Sequence, residues 1–337
     1  MSTGTGAGPP TIVLGVSRSG TTLLKEMLDR HSELAIPSES YFVTQVWDRH
    51  GERADAEELV DDLGRIARVE EWGVTAEDIR ARLPAHATFQ DVIAAVYLAY
   101  AEARGKRRYG DKTPVYMQRL DVIDRAFPGA RYVHIVRDGR DAGLSFAAMK
   151  RKPRFNLSRP RRLAEFACAW RLEIEGAQRF GARIGPARYV ELRYEDLVAA
   201  PEERLRDVCG FLGLEFEPGM LEYHRDVDPG RLQDHPRLAE PPRTDVRRWR
   251  DQMEPGDREL FEAIAGGLLA RLGYERSSGP PSTAVRARAS AELAAYRARL
   301  GLWNGSLRAV RRSPAWRARQ AYIRRSSASG AGTVERL

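Results

Sequence analysis

Short apolar runs alternate with helix-like stretches over the first 200 residues of the chain. The run "TIVLGVS" is rich in β-branched residues and lies between Gly-Pro-Pro and a glycine turn, which predicts a buried strand. Three later runs, "RRYGDKT", "RYVHIVRD" and "ARYVELRYEDL", have the same character, and helical patterns long enough to cross back over a sheet separate them. This alternation predicts an α/β fold in which helices flank a parallel, doubly wound sheet.

Helical periodicity is clearest in two segments. Leu23, Leu24, Met27 and Leu28 fall on one face of a helix that follows the first strand. In "TFQDVIAAVYLAYAEARG", a threonine and an aspartate three residues apart form a capping box before apolar residues at helical spacing. The charged stretch 45–86 also has a helical pattern and lacks strand-like runs, so we interpret it as a helical insertion in the domain.

Composition and charge divide the chain into three parts. At 337 residues and 42% hydrophobic, the chain can bury one large core. Its net charge of +8 comes from the end of the chain, because the stretch 281–337 holds 12 Arg and 2 Glu. We therefore predict a flexible N-terminus over 1–10, a domain over 11–280 and a basic, helical C-terminal extension. The domain itself lacks the broad basic face of a nucleic-acid binder, so no nucleic-acid partner is expected.

Two further observations concern the cellular compartment. The first ten residues lack the basic and apolar regions of a signal peptide, and no apolar run is long enough to cross a bilayer, so we expect a cytoplasmic, soluble protein. Cys168 and Cys209 lie far apart without His or Cys neighbours at ligand spacing, which argues against a zinc site or a disulfide framework. We expect both cysteines to be packing residues.

The glycine turn after the first strand is P-loop-like but lacks the P-loop lysine. Gly15 and Gly20 hold the P-loop spacing, while Thr21 stands in the lysine position. Backbone N–H groups and the positive end of the helix dipole would still surround one anion there. Donor side chains come from the same turn: Arg18, Ser19, Thr21 and Thr22. The motif therefore predicts an anion site beyond the carboxyl end of the first strand.

Polar residues also end the neighbouring predicted strands. Lys112 ends the second strand and Arg137 the third, and the carboxyl ends of parallel strands share one edge of a sheet. A guanidinium at the end of an apolar strand must find an anion or a carboxylate. Asp138 or Asp141 could be that carboxylate, so a structural ion pair remains an alternative to a bound anion.

On these motifs the sequence resembles the sulfotransferases that use 3′-phosphoadenosine 5′-phosphosulfate (PAPS), most closely their tyrosylprotein and bacterial branch. "RSGTTLLKEMLDRHSELAIPSES" is similar to their 5′-phosphosulfate loop and the segment after it, where a catalytic glutamate lies 21 positions beyond the loop arginine. Counted from Arg18, this position is Glu39. "VHIVRDGRDAGLSF" is similar to their 3′-phosphate site, which implies that Arg137 and Ser145 bind that phosphate.

Two shorter matches extend the resemblance to about residue 200. "DKTP" resembles the family's lysine-bearing strand end and implies a role for Lys112, while "RYEDLV" implies that Tyr194 lies near the adenine. A late basic loop closes the cofactor site in the family. The residues of "PPRTDVRRW" that correspond to it only loosely are Arg243, Thr244 and Arg247.

The resemblance implies a PAPS-dependent sulfotransferase that needs no metal. Glu39 would be the general base, Lys112 would neutralise the leaving phosphate, and Arg18 would bind the transferring oxygens. The acceptor would be a hydroxyl of a small molecule, a carbohydrate or a lipid, and the insertion over 45–86 would lie on its side of the site.

Two other functions are compatible with parts of the sequence. A P-loop kinase would need the missing lysine and an aspartate that holds magnesium, for which Asp111 and Asp138 are candidates. Alternatively, the arginine-rich extension 281–337 could make the chain an adaptor for polyanions or anionic membrane surfaces. The extension could also bring an enzyme to an anionic membrane surface that holds its acceptor. Because amphipathic ends usually pack, we favour instead a terminal helix pair packed on the domain or on the second subunit of a homodimer.

Overall fold

The structure, a computed structural model, shows one parallel sheet. It describes residues 8–149, 159–226, 236–242, 249–277 and 279–312. Within these ranges the sheet has five strands: β1 Thr11–Leu14, β2 Leu34–Ala35, β3 Arg108–Lys112, β4 Arg131–Val136 and β5 Tyr189–Arg193. The predicted fold class is confirmed, and so are the four predicted strands. Strand β2 was not predicted, because two residues are too few to show an alternating pattern.

Helices cover both faces of this sheet. The α-helices among the described residues are α1 Thr21–Asp29, α2 Phe42–His50, α3 Ala56–Leu63, α4 Ala67–Glu71, α5 Ala76–Arg80, α6 Phe89–Glu102, α7 Leu120–Ala126, α8 Gly139–Ala147, α9 Leu163–Ile184, α10 Tyr194–Ala199, α11 Pro201–Leu212, α12 Trp249–Gln252, α13 Pro255–Ala265, α14 Gly267–Arg271 and α15 Thr283–Arg312. Short 3₁₀ helices lie at Pro114–Gln118, Pro218–Asp226 and Pro236–Ala239. The two helices predicted from periodicity correspond to α1 and α6, and Thr88 and Asp91 form the predicted capping box of α6.

The strand order β2, β3, β1, β4, β5 places β1 at the centre of the sheet. Val13 of β1 pairs with Lys112 of β3 and with Val133 of β4, so the neighbouring strands end close to the end of β1. All pairings are parallel. As a result, the loops after β1, β3 and β4 open onto the same edge of the sheet.

Alternation along the strands creates a separate apolar core on each face. Ile12 and Leu14 belong to the larger core, whereas Val13 faces the smaller core that α1 and α11 cover. Cys168 is buried in the larger core and Cys209 in the smaller one, and neither forms a disulfide. Both cysteines are packing residues, as predicted.

The stretch 45–86 contains the end of α2 and the helices α3, α4 and α5. Asp55 caps α3, and Thr75 caps α5 with a complete capping box. Trp72 joins this region to the domain, since its ring lies 5.3 Å from that of Tyr97 on α6. Whether the region is an insertion on the acceptor side stays a prediction.

The basic extension begins with the long helix α15, which packs along α9 and α13. Ala289 and Tyr296 are buried on its inner face, and Arg299 bonds to Glu165 at 3.0 Å. Over residues 283–303, where the structure describes the side chains of this helix, the exposed arginines are Arg286, Arg288 and Arg297. The structure therefore shows that the first part of the extension packs on the domain. Among the described residues, no helix is long and apolar enough to cross a membrane.

Candidate active site

The turn between β1 and α1 is built so that backbone encloses a small space. Gly20 caps α1 with a φ of 91°, a left-handed conformation that favours glycine. A Cβ atom on Gly20 would overlap the ring of Tyr194, and one on Gly15 would lie 2.6 Å from Cγ2 of Thr21 and 2.8 Å from the carbonyl oxygen of Ile135. Both glycines are thus needed for the close approach of the chain.

This turn offers donors and no competing carboxylate. The first turn of α1 contains no acidic residue, so the positive end of its dipole is not neutralised from within. Ser19 is 1% exposed, and its Oγ has no hydrogen-bond partner among the described residues. A buried hydroxyl of this kind normally meets an acceptor. The turn therefore has the chemistry of a site for an oxyanion.

A second basic site adjoins the turn. Arg137 follows β4 and is 6% exposed, and its Nη1 donates to the carbonyl oxygen of Arg18 at 3.3 Å. The guanidinium of Arg137 lies 4.4 Å from the ring centroid of Tyr194. Nε of Arg18 donates to Oγ of Ser145 on α8 at 3.0 Å. The residues predicted to bind two different phosphates are therefore adjacent across the end of the sheet.

Next to Arg137, a buried arginine with two carboxylate partners connects α8 to α13. Arg140 is 1% exposed and bonds to Asp138 at 2.7 Å and to Glu262 at 2.6 Å. Its guanidinium also lies 3.5 Å from the ring centroid of Trp249, the first residue of α12. Asp138 is thus committed to Arg140, and the start of α12 is fixed beside the basic site.

Asp141 holds the same segment from the other side. Its carboxylate accepts the backbone N–H of Trp249 at 2.8 Å. Burial raises the pKa of Asp141 to about 7, and the nearby charge of Asp138 adds to this, while Arg137 opposes it. The predicted late-loop residues Arg243, Thr244 and Arg247 come just before this anchor, and they lie outside the described residues.

Glu39 and Lys112 form an ion pair on the other side of the P-loop-like turn. Nζ of Lys112 donates to Oε1 of Glu39 at 2.5 Å and lies 3.4 Å from Oγ1 of Thr22 in the first turn of α1. The Lys112 side chain is only 6% exposed, whereas that of Glu39 is 25% exposed. The hydroxyl of Tyr41 donates to the other oxygen of Glu39. A carboxylate that solvent can reach is thus held beside a cation and the anion site.

Beneath this pair lies a buried polar network. Oγ of Ser40 donates to Oδ2 of Asp111 at 2.7 Å, and the hydroxyl of Tyr97 donates to the same oxygen at 2.7 Å. The hydroxyls of Thr113 and Tyr116 both lie near Ser40. Burial raises the pKa of Asp111, which the hydrogen bonds from Ser40 and Tyr97 oppose.

The structure brings most of the predicted residues to one edge of the sheet. They are Arg18, Ser19, Gly20, Thr21, Thr22, Glu39, Lys112, Arg137, Ser145 and Tyr194. Ser40 and Tyr41 were not predicted from the sequence, and Asp111 was considered only as a magnesium ligand. Their adjacency to Glu39 and Lys112 in the chain was the one available signal for them.

The family of the chain follows from comparison with known proteins. The model of the Sulfotransferase family matches residues 9–218. The chain belongs to the sulfotransferase family. This sulfotransferase is 26% identical over 289 residues to protein-tyrosine sulfotransferase 2 of Gallus gallus, and the match covers 81% of the chain and 71% of the relative. It is 27% identical over 184 residues to the omega-hydroxy-beta-dihydromenaquinone-9 sulfotransferase Stf3 of Mycobacterium bovis, covering 51% of the chain and 42% of the relative.

A solved structure shares the fold. The sulfotransferase domain of the olefin synthase from Synechococcus PCC 7002 superposes with a TM-score of 0.57 at 23% identity, covering 80% of this chain and 96% of that domain. The family match over residues 9–218, together with the relatives named above, confirms the predicted family and enzyme class. The roles of individual site residues stay predictions.

Proposed function

We propose that this sulfotransferase transfers the sulfuryl group of PAPS to a hydroxyl of its acceptor, with Glu39 as the general base. The observation that carries the proposal is the position of the Glu39/Lys112 pair. The carboxylate lies 2.5 Å from Nζ of Lys112, which in turn lies 3.4 Å from Thr22 at the start of α1. A base and a cation thus meet where the helix dipole and the glycine turn would hold a transferring group.

The residues present fit PAPS as the donor. The glycine turn suits the 5′-phosphosulfate, and so does the buried Oγ of Ser19, which has no hydrogen-bond partner in the described part of the chain. Arg137 and Ser145, linked to that turn through Arg18, suit the 3′-phosphate. Tyr194 lies against Gly20, and its ring centroid is 4.4 Å from the guanidinium of Arg137, which suits a ring that would contact the adenine. Arg243, Thr244 and Arg247 would complete the site from the late loop.

Each residue has a defined task in the reaction. Bound PAPS supplies the sulfuryl group and leaves as adenosine 3′,5′-bisphosphate. Glu39 takes the proton of the acceptor hydroxyl as that oxygen attacks sulfur. Arg18 and the N–H groups of the turn bind the sulfuryl oxygens, and Lys112 neutralises the charge on the departing phosphate. No residue of the chain needs to form a covalent intermediate, and no step needs a metal.

The kinase alternative gains no support from the structure. Thr21 stands in the lysine position. Of the two candidate magnesium ligands, Asp138 is bound by Arg140 through two hydrogen bonds, and Asp111 accepts bonds from Ser40 and Tyr97. Both carboxylates are buried and already have partners within the protein.

For the acceptor, we propose a hydroxyl of a small molecule, a carbohydrate or a lipid. The names of the two relatives given above indicate, for those proteins, a protein tyrosine and omega-hydroxy-beta-dihydromenaquinone-9 as the acceptors. If the acceptor lies in a bilayer, the exposed arginines Arg286, Arg288 and Arg297 on α15 would face anionic headgroups. Ala289 and Tyr296 of α15 are buried against the domain, whereas Leu302 is exposed, so this attraction would be mainly electrostatic.

Calorimetry with two nucleotides tests the proposed donor site. Arg137→Ala should weaken binding of adenosine 3′,5′-bisphosphate by about 10- to 100-fold, the value of one or two charge-assisted hydrogen bonds. Binding of adenosine 5′-phosphosulfate, which lacks the 3′-phosphate, should change much less. Arg107→Ala is the control for charge, since Arg107 is 68% exposed and precedes β3 at the opposite edge of the sheet.

Transfer itself is tested with ³⁵S-labelled PAPS and extracts that contain candidate acceptors. We expect labelled product with the wild-type protein. Equal losses of affinity for both nucleotides in Arg137→Ala would remove Arg137 from the 3′-phosphate site. A wild-type protein that binds neither nucleotide and transfers no label would overturn the proposed function.

A further inference from the structure

The two residues proposed to carry the chemistry are each adjacent in the chain to a member of the buried polar network. Ser40 follows Glu39, and Asp111 precedes Lys112. The segment after β2, which carries Glu39 and Ser40, therefore contacts the end of β3 at two places. Glu39 bonds to Lys112 at 2.5 Å, and Ser40 bonds to Asp111 at 2.7 Å.

The two contacts lie on opposite faces of β3. Successive side chains of a strand point to opposite sides, so Asp111 and Lys112 face away from each other. Ser40 contacts the Asp111 side, and its backbone N–H also donates to Oγ1 of Thr113 at 3.0 Å. Glu39 contacts the Lys112 side. The segment after β2 is thus attached to the end of β3 from both faces.

The hydrogen bonds of the network have a defined direction. The one hydrogen of the Ser40 hydroxyl goes to Asp111, so the hydroxyl of Tyr116 must be the donor in its 2.7 Å contact with Ser40. Tyr116 in turn accepts the backbone N–H of Val43 at 3.2 Å. Tyr97 supplies the second bond to Oδ2 of Asp111. Each of the three hydroxyl hydrogens has one acceptor, which fixes the orientation of Ser40.

We propose that Ser40 and Asp111 are positioning residues, which hold the carboxylate of Glu39 against Lys112 in the geometry that sulfuryl transfer requires. This role rests on the proposed function of the Glu39/Lys112 pair. Neither residue touches the reacting atoms. They act through the backbone, because moving Ser40 away from β3 would also move Glu39.

A purely structural role explains the network less well. It lies among aromatic rings, where Tyr97 packs 5.3 Å from Phe127 and 6.3 Å from Phe42. Apolar side chains would fill this space without the cost of burying a carboxylate, and replacing buried polar groups in this way is often neutral or stabilising. Hydrogen bonds are directional, so this network holds the segment that bears Glu39 in one orientation. Apolar packing would not do this.

Ser40→Ala removes the side-chain bond between the two segments and keeps the backbone bond to Thr113, and Tyr97→Phe is its control. Each variant deletes one hydroxyl that donates to the same oxygen of Asp111. Only Ser40 lies on the segment that carries Glu39, whereas Tyr97 lies on α6, which carries neither member of the pair. Ser40→Ala should cost more stability than Tyr97→Phe, because it also removes the acceptor of the Tyr116 hydroxyl. The readouts that separate the two variants are therefore the Glu39/Lys112 contact and turnover.

Crystal structures and kinetics of the two variants test the proposal. In Ser40→Ala the Glu39 carboxylate should leave its place 2.5 Å from Lys112, and kcat should fall about 10- to 100-fold, as a misplacement of about 1 Å can cost. The KM for PAPS should stay within about threefold, because the anion sites are untouched. In Tyr97→Phe both the contact and kcat should persist. The assay uses ³⁵S-labelled PAPS with 4-nitrophenol as the acceptor probe.

Two further variants keep the test decisive if Ser40→Ala does not fold. Thr113→Val is nearly isosteric and removes the acceptor of the Ser40 N–H, so it should have the same effect as Ser40→Ala. Asp111→Asn keeps an oxygen that can accept both bonds, and its kcat should stay within about fivefold of wild type, since buried bonds are lost only when a partner is removed.

The outcomes separate this proposal from the proposed function. If Ser40→Ala and Thr113→Val keep the Glu39/Lys112 contact, or match Tyr97→Phe in kcat, the positioning role is wrong even in an active enzyme. If wild-type protein transfers no sulfuryl group to any acceptor, the proposed function fails. In that case the contact distance in the variants still decides whether Ser40 and Asp111 position Glu39.

Discussion

Gly20→Ala probes the link between the P-loop-like turn and Tyr194. Gly20 has a φ of 91°, which costs an alanine about 1–2 kcal/mol in the left-handed region. A Cβ atom there would also lie 2.8 Å from Cε2 of Tyr194 and closer still to Cδ2. Forcing an extra carbon into a packed site costs about 1–3 kcal/mol. We therefore expect Gly20→Ala to lower the free energy of unfolding by about 2–5 kcal/mol, the sum of the two terms.

Urea unfolding at 25 °C measures this loss, and two controls separate its two causes. Gly105 has a φ of 69°, and a Cβ atom added to it would meet no other atom within 4 Å, so Gly105→Ala should show the backbone cost alone. In a Tyr194→Ala background the ring is absent, and the cost of Gly20→Ala should fall to that of Gly105→Ala. If Gly20→Ala costs no more than Gly105→Ala in the wild-type background, Tyr194 does not restrict the turn.

Two other predictions concern stability. The pKa of Asp141 is raised by burial from 3.8 to about 7, so its contribution to stability is full below about pH 4 and is lost as the pH rises through 7. The free energy of unfolding of the wild-type protein should therefore fall with pH by up to about 1.4 kcal/mol per pH unit, and Asp141→Asn should remove this dependence. Urea unfolding at several pH values measures it, and an equal dependence on pH in both proteins would contradict the prediction. Deletion of 281–337 should lower the melting temperature, because Ala289 and Tyr296 are buried against the domain. A deletion that leaves the melting temperature unchanged and abolishes binding to anionic vesicles would instead favour the membrane hypothesis.

The sequence predicted the parts of the fold that have a local pattern. β1 and β4 are apolar runs next to turn residues, and α6 has a capping box and a regular apolar face. By contrast, β2 contains only Leu34 and Ala35 and owes its place to pairing with β3. A strand of that length has no period, and its position depends on a partner more than 70 residues away in the chain.

The same distinction applies to the candidate site. Arg18, Lys112 and Arg137 could be predicted because polar residues at the ends of parallel strands must converge. The pairing of Arg140 with Glu262 could not, since it joins residues 122 positions apart. The sequence offered Asp138 as a partner for Arg137 or for magnesium, and this carboxylate is bound by Arg140 instead. The partner of each buried charge depends on tertiary packing, which no local sequence pattern encodes.

Turnover of Glu39→Gln tests the central claim most directly. The variant should bind adenosine 3′,5′-bisphosphate with near-normal affinity, because the donor site is formed by other residues. Its transfer of ³⁵S from PAPS should be slower by about 10²- to 10⁴-fold, the usual contribution of a general base. Glu33→Gln, which changes a partly exposed carboxylate paired with Arg107, should transfer at the wild-type rate. Wild-type turnover in Glu39→Gln would contradict the role of Glu39 as the base.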